Sequence, residues 1–446
     1  MPFETFILHR TQGEKGRQNL AGMVQEYVLF YGYPFGLGNP RTIGQMMTKY
    51  RYVVLCPEQC HSVLPSSVER WIVIEKEGMN EVFEVVKQLH VKYNFKRVVF
   101  ASEVEVLPAL VLNKTLGLGG LPYDTFVAFR DKGIMCSKMV QSGIPVPRFR
   151  IVSEFFDFFE FSREEGYPFL IKPTLEASAK GIVVIKSETE LEKFCNDLSP
   201  WVPGSLKFNY MCQQFIDIKT MYSTNGVYSG GEVKCFFPAK YAEDYLRGMN
   251  QSSRFRHVSD ISVGPKDDHY QKLLEFTISV MKGFGVPDEC TFVFHLEIML
   301  SRDDKFYFCE NACRMTGNWR LFEWTKINFY ETQLLGQLGE VHHSVPASLA
   351  EQPMTDKTFI YTYFCVNRGV SLNLFHEIST EGLKVDVISS KIPKLPLSLA
   401  KASTYYDGYF YVTLIESNDE LQAQRDLQEL TSRVEQACTI EGEAKE

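Results

Sequence analysis

The stretch that most restricts how this chain can fold is Thr291–Arg314, TFVFHLEIMLSRDDKFYFCENACR. In its first half Phe292, Phe294, Leu296, Ile298 and Leu300 alternate with Thr291, His295 and Glu297. That two-residue period belongs to a strand with one packed face and one face open to chemistry. A tight polar turn at Ser301 to Asp304 folds the second segment back antiparallel, which brings Glu310 level with His295 and diagonal to Glu297. Phe306 and Phe308 share the parity of Glu310, so a β-bulge or a sheet covered on both sides is required to keep all three content. Two carboxylates at that range suit a hard cation such as Mg²⁺, shared with substrate phosphates. A sheet carrying solvated acids on its outer face meets the same pattern, so the choice rests on the remainder of the chain.

With 446 residues and 45% hydrophobic side chains, the chain can build two or three domains with substantial cores. There is no apolar run of about eighteen residues, and the first residues, MPFETFILHRTQGEKG, become charged too soon for a secretory segment. The expected compartment is therefore the cytoplasm, with no membrane partner. Eleven cysteines are scattered without CxxC spacing, which suits small buried hydrophobes kept reduced better than a zinc site. A formal charge of −8 with dispersed Lys and Arg offers no field for tracking nucleic acid.

Along the chain, residues 1–125 read as a doubly wound α/β unit. Its strands are expected at Phe6–His9, Tyr52–Cys56, Trp71–Glu75 and Arg97–Ala101, and its helices at Asn80–Tyr93 and Val104–Leu112. Tyr31–Arg41 is Gly/Pro/aromatic-rich and reads as an extended loop that lacks a dinucleotide-binding fingerprint. A second unit is expected over 126–340. It opens with a helix from Arg130-Asp131-Lys132 to Ser142, stopped by GIPVP. Strand Arg148–Val152, a helix capped by Ser153, strand Phe169–Lys172, loop Pro173–Lys180 and strand Gly181–Ile185 follow. Ala239–Val258 reads as a loop or short helix, and Asp267–Phe284 as an amphipathic helix leading into Thr291. Residues 341–446 are expected to add strands and a final helix over Asp419–Cys438. The fold class is thus α/β (α+β).

Lys172 ends an apolar strand, FLIKP, immediately before a loop of small residues, where an ammonium and backbone N–H groups can meet phosphate oxygens. Lys132 stands at a helix start, a poor electrostatic position for a cation unless an anion is bound nearby. Gln213-Gln214-Phe215-Ile216 ends a strand with a polar pair and an apolar pair, a segment able to offer backbone groups and an aromatic wall to a heterocycle. Each reads equally well alone as an ordinary solvated lysine or core strand. The same holds for His295 on the open face, and for Arg254, Arg256 and His257, whose guanidinium groups suit a substrate carboxylate.

Taken together, Asp131-Lys132 with GIPVPRF, GYPFLIKP with KGIVVI, the strand QQFI, HLE on one strand and Glu310 through Arg314 on the next resemble the ATP-grasp superfamily, nearest to its amino-acid and peptide ligase branch. The resemblance covers about 120 to 335 and implies an ATP-grasp fold whose lid spans about 150–217. It further implies that Lys132, Lys172, Ser178 and Lys180 meet ATP phosphates, that Gln213, Gln214, Phe215 and Ile216 hold the adenine, and that Glu297, Glu310 and Asn311 hold Mg²⁺ or Mn²⁺. Arg314 and Lys172 would act on the reacting phosphate. The activity implied is ATP-dependent joining of a carboxylate and an amine, amino acids being the expected small-molecule substrates. A non-amino-acid carboxylate and a nucleotide-binding protein without turnover stay open, as does a homo-oligomeric state. Three departures stand out. The family's Glu-x-Asn-x-Arg has Ala312 at its Asn position, the phosphate loop lacks its usual glycines, and Met221-Tyr222-Ser223-Thr224-Asn225-Gly226 lacks the acids found after the hinge in relatives.

Overall fold

Four sheets organise the computed structural model, which describes residues 9–10, 26–32, 46, 48–56, 70–73, 79–177, 179–198, 209–242, 255–366, 371–374, 378–390, 397–399 and 409–441. The first contains β1 (His9–Arg10), β2 (Glu26–Tyr31), β3 (Tyr50–Cys56), β4 (Arg70–Val73) and β5 (Arg97–Val99), in the order β1-β4-β3-β2-β5. All its pairs are parallel except β1 with β4. The buried runs Val28–Phe30 and Val53–Cys56 are what a parallel sheet covered on both faces requires. Helices Met79–Tyr93 and Val106–Thr115 fall close to their expected places. β2, EYVLFY, is absent from the sequence-based expectation because a short apolar run carries no period that separates strand from helix. Most of Phe6–His9 and of the Tyr31–Arg41 loop lies outside the described residues.

A second sheet holds β6 (Phe149–Val152), β7 (Phe169–Pro173), β8 (Val183–Ile185) and β9 (Tyr210–Gln214), antiparallel throughout in the order β6-β9-β7-β8. Helices Phe155–Glu165 and Glu188–Leu198 close its core through Phe158, Phe161 and Leu191. The first of these is capped by Glu154 rather than Ser153. Asp157 Oδ2 accepts the backbone N–H groups of both residues, at 2.6 and 2.9 Å, so the acid three residues on selects the cap.

The third and largest sheet contains β10 (Ile218–Ser229), β11 (Glu232–Tyr241), β12 (Phe255–Ser262), β13 (Thr291–Ser301), β14 (Phe306–Ala312) and β15 (Thr358–Val366). A small fourth sheet is formed by β16 (Ser371–Leu374), β18 (Leu397–Leu399) and β20 (Cys438–Glu441), while β17 (Val385–Ser390) and β19 (Tyr409–Ser417) extend the large one. The resulting order is β14-β13-β10-β11-β12-β15-β19-β17, every pair antiparallel. β12 corrects the expected loop or short helix over Ala239–Val258: Arg256 and His257 lie on a strand, opposite Cys365 and Phe364. Their side chains and Arg254 are outside the described residues.

One face of the large sheet buries Phe292, Phe294, Leu296 and Ile298 with Leu273, Val280, Met281 and Phe284 of the Tyr270–Phe284 helix. Phe129 stacks on Phe284 at 4.1 Å within the same layer. Each such ring contributes roughly 1.5–3 kcal/mol of burial. Across the sheet the Phe329–Gln337 helix crosses β13 so closely that a Cβ on Gly336 would stand 2.2 Å from the Thr291 carbonyl oxygen. Among the described residues no helix is long and apolar enough to cross a membrane.

Among the described residues Cys136, Cys195, Cys212, Cys235, Cys290 and Cys313 are buried and outside any disulfide. Burial pushes the thiols of Cys195 and Cys290 up to about 11 and that of Cys235 up to about 12. Alkylation of these three at pH 8 is therefore expected to be ~10²-fold slower in the native than in the guanidinium-unfolded protein. Rapid native labelling of any of them, mapped by mass spectrometry, would contradict the packing.

Candidate active site

The β13–β14 hairpin turns over Ser301–Lys305, with the Ser301 N–H donating to the Lys305 carbonyl at 3.0 Å and Asp304 at φ +57°. Leu300, Met299 and Ile298 face Phe306, Tyr307 and Phe308, after which the register shifts: Glu297 faces Glu310 and His295 faces Ala312. Cys309 is the unpaired residue, the bulge that the parity of the phenylalanines requires. It leaves Phe308 in the packed layer and carries Glu310 to the side of Glu297. The expected pairing of Glu310 with His295 is thus corrected by two places, one from a longer turn and one from the bulge.

Behind this pair lies the start of the Lys132–Gln141 helix. Asp131 caps it, accepting from the N–H groups of Gly133 and Ile134 at 2.9 and 3.1 Å. The cap aims Lys132 inward: Nζ lies 3.0 Å from Glu310 Oε2 and donates to the Glu176 carbonyl at 2.6 Å. Burial opposes the charge on both partners. The Glu310 carboxylate nevertheless raises Lys132 above its ordinary value, and Lys132, Lys172 and Arg314 together bring Glu310 below its own.

The loop after β7 is tied to this helix start. The Lys132 N–H donates to the Thr174 carbonyl at 3.0 Å, and the Arg130 guanidinium donates to the Leu175 carbonyl. Lys180, exposed, pairs with Glu176 at 3.2 Å, while Ser178 is outside the described residues. Lys172 is 4% exposed and makes no ion pair or hydrogen bond among the described residues, its charge acting on Glu310 from a distance. In β9 Gln213 is buried between β6 and β7 with its Nε2 unpartnered. Gln214 exchanges bonds with the backbone of Arg148, Phe215 is exposed, and Ile216 is half-buried in the connection to β10.

Glu297 accepts from the Tyr241 hydroxyl at 3.0 Å and lies 3.5 Å from His295 Nε2. The other ring nitrogen, Nδ1, meets Asn225 Oδ1 at 2.8 Å. Asn225 Nδ2 already donates to Ser223, so its Oδ1 is the acceptor and His295 Nδ1 carries the proton. Arg314 turns toward the first sheet's side of the molecule, donating to Glu103 Oε2 through Nε and Nη2 at 3.0 and 2.6 Å. Glu103 Oε1 also stands 3.6 Å from Arg130. Glu103, Tyr241, Asn225 and the buried Asp260 on β12 were not singled out from sequence, since only the fold brings them to this site.

Asn311 is where the sequence expectation fails. It pairs with Leu296, is fully buried, and points Nδ2 at Met281 Sδ 3.7 Å away, on the face opposite the two carboxylates. Alternation allows nothing else, because Asn311 follows Glu310 by one residue. Among the described residues no three His, Cys, Asp or Glu side chains gather as a metal-binding group. Glu297 and Glu310, directly opposed, fit a cation that takes two carboxylates and completes its shell from other oxygen ligands. Among the described residues, the buried Lys172 ammonium without an ion pair and the unpartnered Gln213 Nε2 fit an anionic ligand with a hydrogen-bonding heterocycle.

No family model matches the chain. It is 25% identical over 226 residues to an L-arginine-specific L-amino acid ligase of Bacillus subtilis, an alignment covering 50% of this chain and 52% of that one. It thus spans about half the length of the curated amino-acid ligases it matches. Its structure matches the L-amino acid ligase of Bacillus licheniformis with a TM-score of 0.68 over 95% of this chain and 100% of that chain, at 17% identity. It also matches the biotin carboxylase domain of Hydrogenobacter thermophilus 2-oxoglutarate carboxylase, solved with MgADP and bicarbonate, with a TM-score of 0.64 over 95% of this chain and 92% of that chain, at 13% identity. At such identities the structural likenesses establish the fold.

Proposed function

We propose that this chain, an ATP-grasp protein by its fold, is a ligase that joins an amino-acid carboxylate to an amine at the expense of ATP. The observation that carries the reading is the convergence of Lys132, Lys172, Glu297 and Glu310, supplied by one helix, two sheets and a bulge, beside the hinge at Gln213. A carboxylate is a poor acyl donor at neutral pH, so transfer of the γ-phosphoryl group is needed to make it an acyl phosphate, which the amine then attacks as phosphate leaves. No protein nucleophile is demanded.

In this reading Lys132 and Lys172 neutralise transferring phosphate oxygens, and Arg314, held by Glu103, meets charge that develops on the activated carboxyl. Glu297 and Glu310 would hold Mg²⁺, which would supply positive charge to offset that of the phosphate oxygens. Gln213 to Ile216 offer the adenine its edge and wall, and residues 150–217 form the lid. Domain limits at 125 and 340 and a cytoplasmic setting belong to the same proposal.

Purified protein with Mg·ATP and the twenty L-amino acids, in pairs, is expected to release ADP and yield dipeptides detectable by mass spectrometry. ATP binding by calorimetry without amino-acid-dependent ADP release across that panel would refute the ligase reading. It would favour a nucleotide-binding protein without turnover, the reading to which the placement of Asn311 in the packed layer lends weight.

A further inference from the structure

Asp260 is the acid that the chemistry above leaves unused. It is 3% exposed, makes no hydrogen bond or ion pair among the described residues, and its Oδ1 is shut from solvent. A buried carboxyl without a partner is destabilising relative to an apolar side chain of similar shape, so its presence calls for a ligand.

Its position is set by the sheet. Asp260 lies directly opposite Tyr241 on β11 and Tyr361 on β15, and cross-strand partners share a face. That face is the one Glu297 occupies, since the Tyr241 hydroxyl donates to Glu297. Tyr361 packs edge-on against Tyr363 at 5.1 Å, and the Tyr363 hydroxyl donates to the Gly317 carbonyl at 3.2 Å, in the segment that follows Arg314. Asp260 therefore shares with Glu297 the face of the sheet that carries Tyr241, Tyr361 and Tyr363, beneath the segment that follows Arg314. The two acids are three strands apart and two residues out of register, ~16 Å between backbones at ordinary strand spacing and rise, with both side chains reaching over the same face. Burial and then the Glu297 charge hold the Asp260 carboxyl well above the carboxylate range, so a cation arriving beside it supplies the missing counter-charge. A single carboxyl among aromatic rings suits an organic ammonium, whereas a hard metal ion needs several oxygen ligands.

We infer that Asp260 receives the α-ammonium of the amino acid whose carboxylate is activated at Glu297 and Glu310, a subsite that rests on the ligase reading above. Asp260 is then what separates an amino acid from a plain carboxylic acid.

The test takes the amino acid that gives the fastest ADP release from the pool, its desamino acid and its N-acetyl derivative. In calorimetry without ATP, the wild-type chain is expected to bind the amino acid at least about tenfold more tightly than either analogue, the scale of one charge-assisted hydrogen bond. Asp260→Asn should raise the amino-acid KM about 10- to 100-fold and leave the ATP KM within about twofold. Equal wild-type binding of amino acid and desamino acid, or an Asp260→Asn enzyme with unchanged amino-acid KM, would overturn the assignment while the ligase reading stands. Absence of amino-acid-dependent ADP release in the wild type would remove both. Should Asp260→Asn fail to melt cooperatively, the wild-type analogue comparison decides alone.

Discussion

Glu297→Gln is expected to lower the rate of ADP release by on the order of 10²–10³, the scale on which one electrostatic contact to a reacting phosphate is felt. The substitution keeps the shape of the side chain and an oxygen for the Tyr241 hydroxyl, while removing one of the two charges that face each other across the hairpin. Glu310 remains neutralised by Lys132, so it cannot compensate. Because the 3.0 Å bond to Tyr241 has an acceptor in either case, the melting temperature should move by only a few degrees. Near-normal ADP release from a folded Glu297→Gln protein would return Glu297 to the role of a solvated acid on a sheet. Loss of ADP release together with loss of the cooperative transition would mark it as structural.

Lys172→Ala should weaken ATP and ADP by about 10- to 100-fold while leaving the amino-acid KM nearly unchanged. Among the described residues Lys172 is buried without an ion pair, so its removal strands no direct partner there, unlike removal of Lys132, which would leave Glu310 without its ion pair. The nucleotide-free variant is therefore expected to be as stable as the parent or more so, since an unpaired ammonium in a protein interior is destabilising. Affinity and stability moving in opposite directions is the signature of a group kept for its ligand. The converse pattern, a large loss of amino-acid affinity with ATP binding intact, would mean that the phosphates lie elsewhere. Calorimetry with ADP and a thermal melt read both quantities.

Much of this was legible locally. The alternation of Thr291–Leu300, the polar turn and the parity conflict of Phe306 and Phe308 with Glu310 are properties of one short stretch, and they predict a hairpin that carries a bulge or lies in a sheet covered on both sides. Lys132 and Lys172 follow from a helix start and a strand end. What escaped is what local pattern does not encode. The register depends on how many residues the turn and the bulge consume, and that decides whether Glu310 faces His295 or Glu297. Glu103 reaches Arg314 from 211 residues away, and Tyr241 and Asp260 come to the site only through the order of strands in the large sheet. Asn311 follows Glu310 by one residue and could reach the metal face only through a further bulge, which the ladder does not have there.

The unpaired Cys309 gives this strand a sensitivity to pairing register that its composition does not reveal. A substitution between Phe308 and Glu310 leaves the residues beyond it where they are. Loss of Cys309 would leave Phe308 against Ile298 and Glu310 against Glu297 in an uninterrupted ladder, whereas pairing Cys309 itself with Glu297 would carry Glu310 into the phenylalanine layer opposite Leu296 and bring Asn311 out opposite His295. The working face of this strand is therefore held by the bulge and not by the identity of residue 309, and a slip of one residue in the pairing would exchange a carboxylate for an amide without altering either side chain.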